Sequence, residues 1–176
     1  GSVNLAKFVM HQGATPKIDY AGLGDIVRWS VRFLDDTIDA ARYPLPQIDD
    51  MVRGNRKVGL GVMGFADMLY QLNVPYNSEG AITIAEEVMA FIQKTAKEAS
   101  RELGEERGTF KNYDRSVFKD MPESAYRNAT VTTIAPTGTL SIIANCSSGI
   151  EPLFALSFVR TVMDNDRLVE INPWFE

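Results

Sequence analysis

The stretch from Thr130 to Pro152 reads TVTTIAPTGTLSIIANCSSGIEP, and the order of its parts decides the fold. The β-branched run Thr130 to Ile134 leads into Pro136-Thr137-Gly138-Thr139, and a second apolar run opens at Ser141. β-Branched residues suit a strand, so the segment predicts a strand, a tight polar turn and a helix. The first N–H groups of a helix have no intrahelical partner and point at whatever occupies the turn, which makes an anion the natural guest. Thr137, Thr139 and Ser141 add hydroxyl donors, and Gly138 allows a phosphate oxygen close to the backbone. The turn is not a P-loop, because the G-x-x-x-x-G-K-[ST] spacing and its lysine are missing. A plain strand-to-helix connection with a Thr or Ser cap explains the same letters. An anion at an exposed helix start gains only about 0.3–1 kcal/mol. Useful affinity therefore needs convergent hydroxyls and several N–H groups, and the segment supplies both.

Outward from this segment, helical and strand-like stretches alternate with no low-complexity linker and no internal repeat. Leu23 to Ala41 reads as an amphipathic helix with Ile26, Trp29, Phe33, Leu34 and Ile38 at helical spacing, closed by Tyr43-Pro44. A short helical turn is expected over 47–52, an apolar glycine-rich stretch over 57–65, and helix again over 66–72. Ser78 is a candidate cap for the longest helix, whose stripe Ile82, Ala85, Val88, Met89, Ile92, Ala96 and Ala99 runs to Leu103. Residues 104–127 read as a polar surface excursion, and 153–162 as another buried strand. The alternation favours an α/β layer or barrel, in one domain over residues 1–176.

Three further constellations invite chemistry. Gly59-Leu60-Gly61-Val62-Met63-Gly64 matches the dinucleotide fingerprint, so a NAD-dependent oxidoreductase using Gly59, Gly61 and Gly64 is one alternative. Yet Arg53 to Lys57 stand where a buried strand should precede it, and close backbone packing accounts for the glycines better. Asp35, Asp36 and Asp39 could bind a metal or serve as acid and base, but a solvated helix face beside Arg32 and Arg42 is the stronger expectation. His11, the sole histidine, has no ligand-type neighbours, and Cys146 is expected to be a small structural side chain. Neither points to a metal.

With 176 residues, 45% of them hydrophobic and 23% charged, the chain is ordinary globular material. Its net charge of -5 and sparse Lys/Arg argue against a nucleic-acid surface, and any nucleotide is expected singly, in a pocket. One cysteine forbids an intrachain disulfide and suits a reducing, cytoplasmic setting. No apolar run of bilayer length is present, so no membrane partner is expected. The Gly1-Ser2 opening, which also fits a cloning remnant, and the Trp174-Phe175-Glu176 close suggest a piece of a longer polypeptide.

The segments GSVNLAKF, RKVGLGVMGFADML, ERGTF, RNATVTTIAPTGTLSIIANCSSGIEPLFALSFVR and INPWFE, in that order, resemble the catalytic subunit of ribonucleotide reductases. The pairing of PTGTLS with CSSGIEP is most similar to the adenosylcobalamin-dependent class. The resemblance implies a ten-stranded α/β barrel, of which this chain covers most of the second half. It implies that Pro136, Thr137, Gly138, Thr139 and Leu140 hold the phosphates of a ribonucleoside di- or triphosphate, with Ser141 helping. It further implies adenosylcobalamin as cofactor of the full-length enzyme rather than of this piece. The remainder of the catalytic subunit, a homodimer partner and a thioredoxin-type reductant complete the implied partners. In such enzymes a thiyl radical takes the 3′ hydrogen of the ribose, the 2′ hydroxyl leaves as water, and a cysteine pair supplies electrons. The Asn-Pro-Cys-Gly-Glu motif of the radical cysteine is absent from this sequence and is expected just upstream of Gly1. Cys146 matches neither the radical nor the reducing positions, so no catalytic residue is assigned here and the isolated chain is expected to be inactive. A stand-alone phosphate-binding α/β domain remains the other alternative.

Overall fold

The computed structural model describes residues 1–11, 13, 15–121, 123, 125–162 and 166–175. Helices and strands are mixed, as an α/β reading requires, and the chain forms two compact units. The first comprises Gly1, 20–61 and 84–134; the second comprises 2–19, 62–83 and 135–176.

In the first unit, α1 (Tyr20–Ala40) buries Leu23, Val27, Val31, Asp35 and Ile38, a ridge repeating every three or four residues. The stripe expected from the sequence lies largely elsewhere, since Ile26, Trp29 and Phe33 are 44%, 69% and 70% exposed. Charge pairs with a neighbouring helix accompany this rotation. Arg28 reaches Glu98 and Glu102 at 3.1 and 2.8 Å, and Arg32 reaches Glu106 at 3.2 Å. These acids lie along α4 (Glu79–Arg107), whose buried Val88, Ile92, Ala96, Ala99 and Leu103 match the expected core stripe, although Ile82 is exposed. Residues 104–107 continue this helix, and Phe110, inside the expected surface excursion, is only 2% exposed.

A buried ionic cluster closes this unit, and it corrects the expectation of a solvated acidic face. Asp35 is fully buried, while Asp36 and Asp39 stay exposed. Asp35 Oδ1 accepts from Arg56 Nε and Asn128 Nδ2, each at 2.9 Å, and Arg107 and Arg127 approach Oδ2 at 3.4 Å. Arg56 follows α2 (Pro46–Asn55) in the left-handed conformation, φ 46°, which turns its side chain toward α1. Three arginines and an amide make burial of the carboxylate tolerable, a combination that local helix spacing does not reveal. Of the predicted strand 130–134, a single parallel bridge between Leu60 and Thr132 forms. Its flanks are held by Val58 N–H to Thr130 O and Thr133 N–H to Leu60 O, both 3.1 Å.

In the second unit, β1 (Ser2–Asn4) pairs with β4 (Gly61–Met63), and β2 (Val9–Met10) pairs antiparallel with β3 (Lys17–Ile18). Gly64 follows β4 at φ 72°, where a Cβ would collide with the Asn4 side chain, so glycine is required there by packing. The chain then enters α3 (Phe65–Gln71), which buries Phe65 to Leu69 and packs on a 3-10 turn at Leu5–Phe8. The helix α5 (Gly138–Ala144) and an antiparallel hairpin of β5 (Ser157–Val162) and β6 (Asp166–Ile171) complete this unit. The hairpin differs from the buried strand expected over 153–162. Val159, Val169 and Ile171 are 57%, 67% and 62% exposed, and among the described residues β5 pairs with β6 alone.

Asp35→Ala removes the buried carboxylate shared by Arg56, Arg107, Arg127 and Asn128, leaves Arg56 to the more exposed Asp39, and is expected to cost about 3–5 kcal/mol. Asp36→Ala removes an exposed pair with Arg107 and should cost about 0–1 kcal/mol. Urea unfolding of the two variants measures the contrast.

Candidate functional site

The Pro136 to Ser141 turn lies within the second unit, and its geometry starts with Thr137. This residue precedes α5 with φ 55° and ψ 21°, the left-handed region that a β-branched side chain seldom adopts. The next residue is helical, and a left-handed residue followed by a right-handed one aims successive N–H groups at a common point. No side chain caps the helix. Ser141 N–H donates to Thr137 O at 2.8 Å, whereas among the described residues nothing accepts from the N–H groups of Gly138, Thr139 and Leu140. Three backbone donors are left open at one end of the turn.

The side chains divide into two groups. Pro136, Gly138, Thr139 and Leu140 are exposed, and a Cβ placed on Gly138 would meet nothing within 4 Å. Thr137 and Ser141 face the protein instead. Thr137 Oγ1 accepts from Gly149 N–H at 2.7 Å, which leaves its own hydrogen available to a ligand. Ser141 is 1% exposed, and its hydroxyl lies 2.9 Å from Ser148 Oγ and donates to Gly138 O at 3.3 Å. Ser141 thus braces the turn from beneath.

The brace extends through residues that sequence reasoning did not single out. Gly149, at φ 47°, sits where a Cβ would come within 3.0 Å of Ala135 O, so this close crossing requires glycine. Ser147 receives Gly64 N–H on its carbonyl at 2.8 Å and gives its own N–H to Asp67 Oδ2 at 2.6 Å. Asn172 Nδ2 donates to Asp67 Oδ1 at 2.7 Å. The Ser147-Ser148-Gly149 cluster carried a local turn signal, but its pairing with Asp67, 80 residues earlier, had none.

The other sequence candidates hold no ligand geometry. His11 Nε2 lies 3.1 Å from Gln71 Oε1, and among the described residues no cluster of three or more His, Cys, Asp or Glu could hold a metal. Cys146 is half-buried. Burial pushes its thiol up to about 11, the Asp67 carboxylate adds to the rise, and Lys7 opposes it. Such a thiol is protonated at neutral pH. No helix among the described residues is long and apolar enough to cross a membrane.

The comparisons with known proteins bear on the whole chain. The ribonucleotide reductase barrel domain matches residues 1–176. This chain belongs to that family. A vitamin B12-dependent ribonucleoside-diphosphate reductase of Thermoplasma acidophilum is 52% identical over 176 residues, all of this chain and 22% of that protein. One of the same description from Mycobacterium tuberculosis is 45% identical over 176 residues, all of this chain and 24% of that protein. A ribonucleoside-diphosphate reductase subunit alpha of Chlamydia pneumoniae is 31% identical over 202 residues, covering 94% of this chain and 19% of its own length. The chain therefore spans about a fifth to a quarter of the curated relatives it matches. Membership of this barrel family disposes of the dinucleotide reading of Gly59, Gly61 and Gly64.

Alkylation of Cys146 by iodoacetamide should accelerate with rising pH toward about 11 in the folded chain. After unfolding, the same profile should level near the ordinary thiol value of about 8.5. Rates followed by mass spectrometry across pH 7 to 11, chosen to bracket roughly those two values, check this.

Proposed function

We propose that this chain is the part of a ribonucleotide reductase that anchors the substrate by its phosphates. The seat is Pro136, Thr137, Gly138, Thr139 and Leu140, with Ser141 holding the turn from below. The observation that carries the reading is the helix start: three open N–H groups, no side-chain cap, and free space over Gly138. The fold itself asks for no glycine at Gly138, because a Cβ there meets nothing and no positive φ demands it. A phosphate oxygen approaching the backbone does ask for one. The names of the relatives favour a ribonucleoside diphosphate as substrate and vitamin B12 dependence for the intact enzyme.

The reaction proposed for the intact enzyme is reduction of a ribonucleotide to a deoxyribonucleotide. This chain's share is positional. Gripping the phosphates fixes the ribose at a set distance from the reacting groups and removes translational freedom before chemistry begins. Phosphate contacts are remote from the bonds that change, so their binding energy is available for orientation. A mechanism that needs a radical thiol and a reducing pair exceeds the one cysteine present, and the isolated chain should form no deoxyribonucleotide.

The same reading makes residues 1–176 part of one catalytic domain, the second half of a ten-stranded α/β barrel, with the rest of the subunit as its partner. In support, Ile143 and Phe154 stand 77% and 86% exposed, a cost that burial against further chain would remove. The homodimer, the thioredoxin-type reductant, adenosylcobalamin and the cytoplasmic setting belong to this proposal for the intact enzyme.

Gly138→Ala separates fold from ligand. In a helix Ala is favoured over Gly by up to about 1 kcal/mol, so stability should hold or rise. Affinity for a nucleoside diphosphate should fall, about tenfold or more, which is about 1.4 kcal/mol. Calorimetric titration with a nucleoside diphosphate and with NAD, beside thermal unfolding, checks both directions. Unchanged diphosphate affinity in Gly138→Ala and in Thr139→Val would overturn the reading.

A further inference from the structure

We propose that Asp67 is a positioning residue for the phosphate-binding turn: its carboxylate fixes Ser147, and through the next two residues it sets the posture of Thr137 and Ser141. The inference rests on the reading of that turn as the phosphate seat. Asp67 is fully buried in the first turn of α3. Both carboxylate oxygens are used, Oδ2 by Ser147 N–H at 2.6 Å and Oδ1 by Asn172 Nδ2 at 2.7 Å, and the Asp67 N–H faces Ser147 Oγ at 3.4 Å. Among the described residues no cation pairs with it. A buried carboxylate served only by neutral donors is a costly way to fill space, and an apolar side chain would fill it at less cost. What the carboxylate provides is two short, strongly directional acceptors on separate segments.

The consequence runs residue by residue. Ser147 is held at both backbone groups, its N–H by Asp67 and its C=O by Gly64 N–H at 2.8 Å. Ser148, next in the chain, meets the Ser141 hydroxyl at 2.9 Å. Gly149, next again, donates to Thr137 Oγ1 at 2.7 Å and so holds a residue at φ 55° that it would not adopt unaided. Three consecutive residues thus link one buried carboxylate to the two side chains beneath the turn. Asp67 touches no ligand in this arrangement. It acts on the direction of the open N–H groups at Gly138, Thr139 and Leu140.

The test uses the intact polypeptide that carries this sequence, with Asp67→Ala, Asp67→Asn and, as a direct variant of the seat, Thr139→Val. Dissociation constants are measured for a nucleoside diphosphate and for the corresponding nucleoside, together with Tm. Asp67→Ala should weaken the diphosphate about tenfold, equivalent to about 1.4 kcal/mol, and leave the nucleoside within about twofold, near 0.4 kcal/mol on the same scale. Asp67→Asn keeps one acceptor for Ser147 N–H at the same size, so it should fall between wild type and Asp67→Ala, again for the diphosphate alone. Should Asp67→Ala fail to fold, the selective loss in Asp67→Asn decides the matter. A fall in Tm with diphosphate affinity unchanged, or an equal loss for both ligands, overturns the proposal. If Thr139→Val weakens the diphosphate and the Asp67 variants do not, the positioning role alone fails. If Thr139→Val also has no effect, the reading of the turn fails with it.

Discussion

The site rests on one backbone constraint, the left-handed posture of Thr137 at φ 55°. A threonine pays for that conformation, and its hydroxyl is held in place by the N–H of Gly149. From this residue the chain turns directly into α5, so the first three N–H groups emerge together and without a cap. Relaxing Thr137 to an extended conformation would splay those groups and return the segment to an ordinary connection. Everything else in the 135–149 segment serves to keep that posture: Ser148 on Ser141, Gly149 against Ala135, and Ser147 tied to Asp67.

The two units solve the burial of charge differently. In the first, Asp35 sits among Arg56, Arg107, Arg127 and Asn128, so a buried anion is matched by cations and an amide. That cluster ties α1, the end of α2 and the 127–128 segment into one body. In the second, Asp67 is matched by neutral donors alone. Among the described residues no cation pairs with it. A carboxylate in such a setting organises the backbone around it, whereas Asp35 organises helices.

The sequence made the turn itself legible, because Pro, Thr and Gly at 136–139 announce special backbone and hydroxyl donors within a few residues. The long helix α4 was equally plain, since its buried residues Val88, Ile92, Ala96, Ala99 and Leu103 recur at three- and four-residue spacing on one face. What stayed hidden is non-local. Spacing along α1 offered a face led by Trp29 and Phe33, yet the ridge of Leu23, Val27, Val31 and Ile38 turns inward and leaves Trp29 and Phe33 outside, with Arg28 and Arg32 meeting the acids of α4. The same holds for Asp35, which reads as solvated until Arg56 and Asn128 arrive from 21 and 93 residues away. Ser141 could be named from its position after the turn, yet its direction, toward Ser148, depends on a loop that returns beneath it. Strand 130–134 shrank to one bridge because a strand is completed by its neighbours, and Leu60 alone is a bridge partner here.

The central claim is that the N–H groups of Gly138, Thr139 and Leu140 receive phosphate. Amide proton and nitrogen chemical shifts, followed while a nucleoside diphosphate and then the matching nucleoside are titrated in, test it most directly. The account predicts the largest downfield proton shifts at those three amides with the diphosphate and little change there with the nucleoside. Shifts centred elsewhere, or equal for the two ligands, would contradict it.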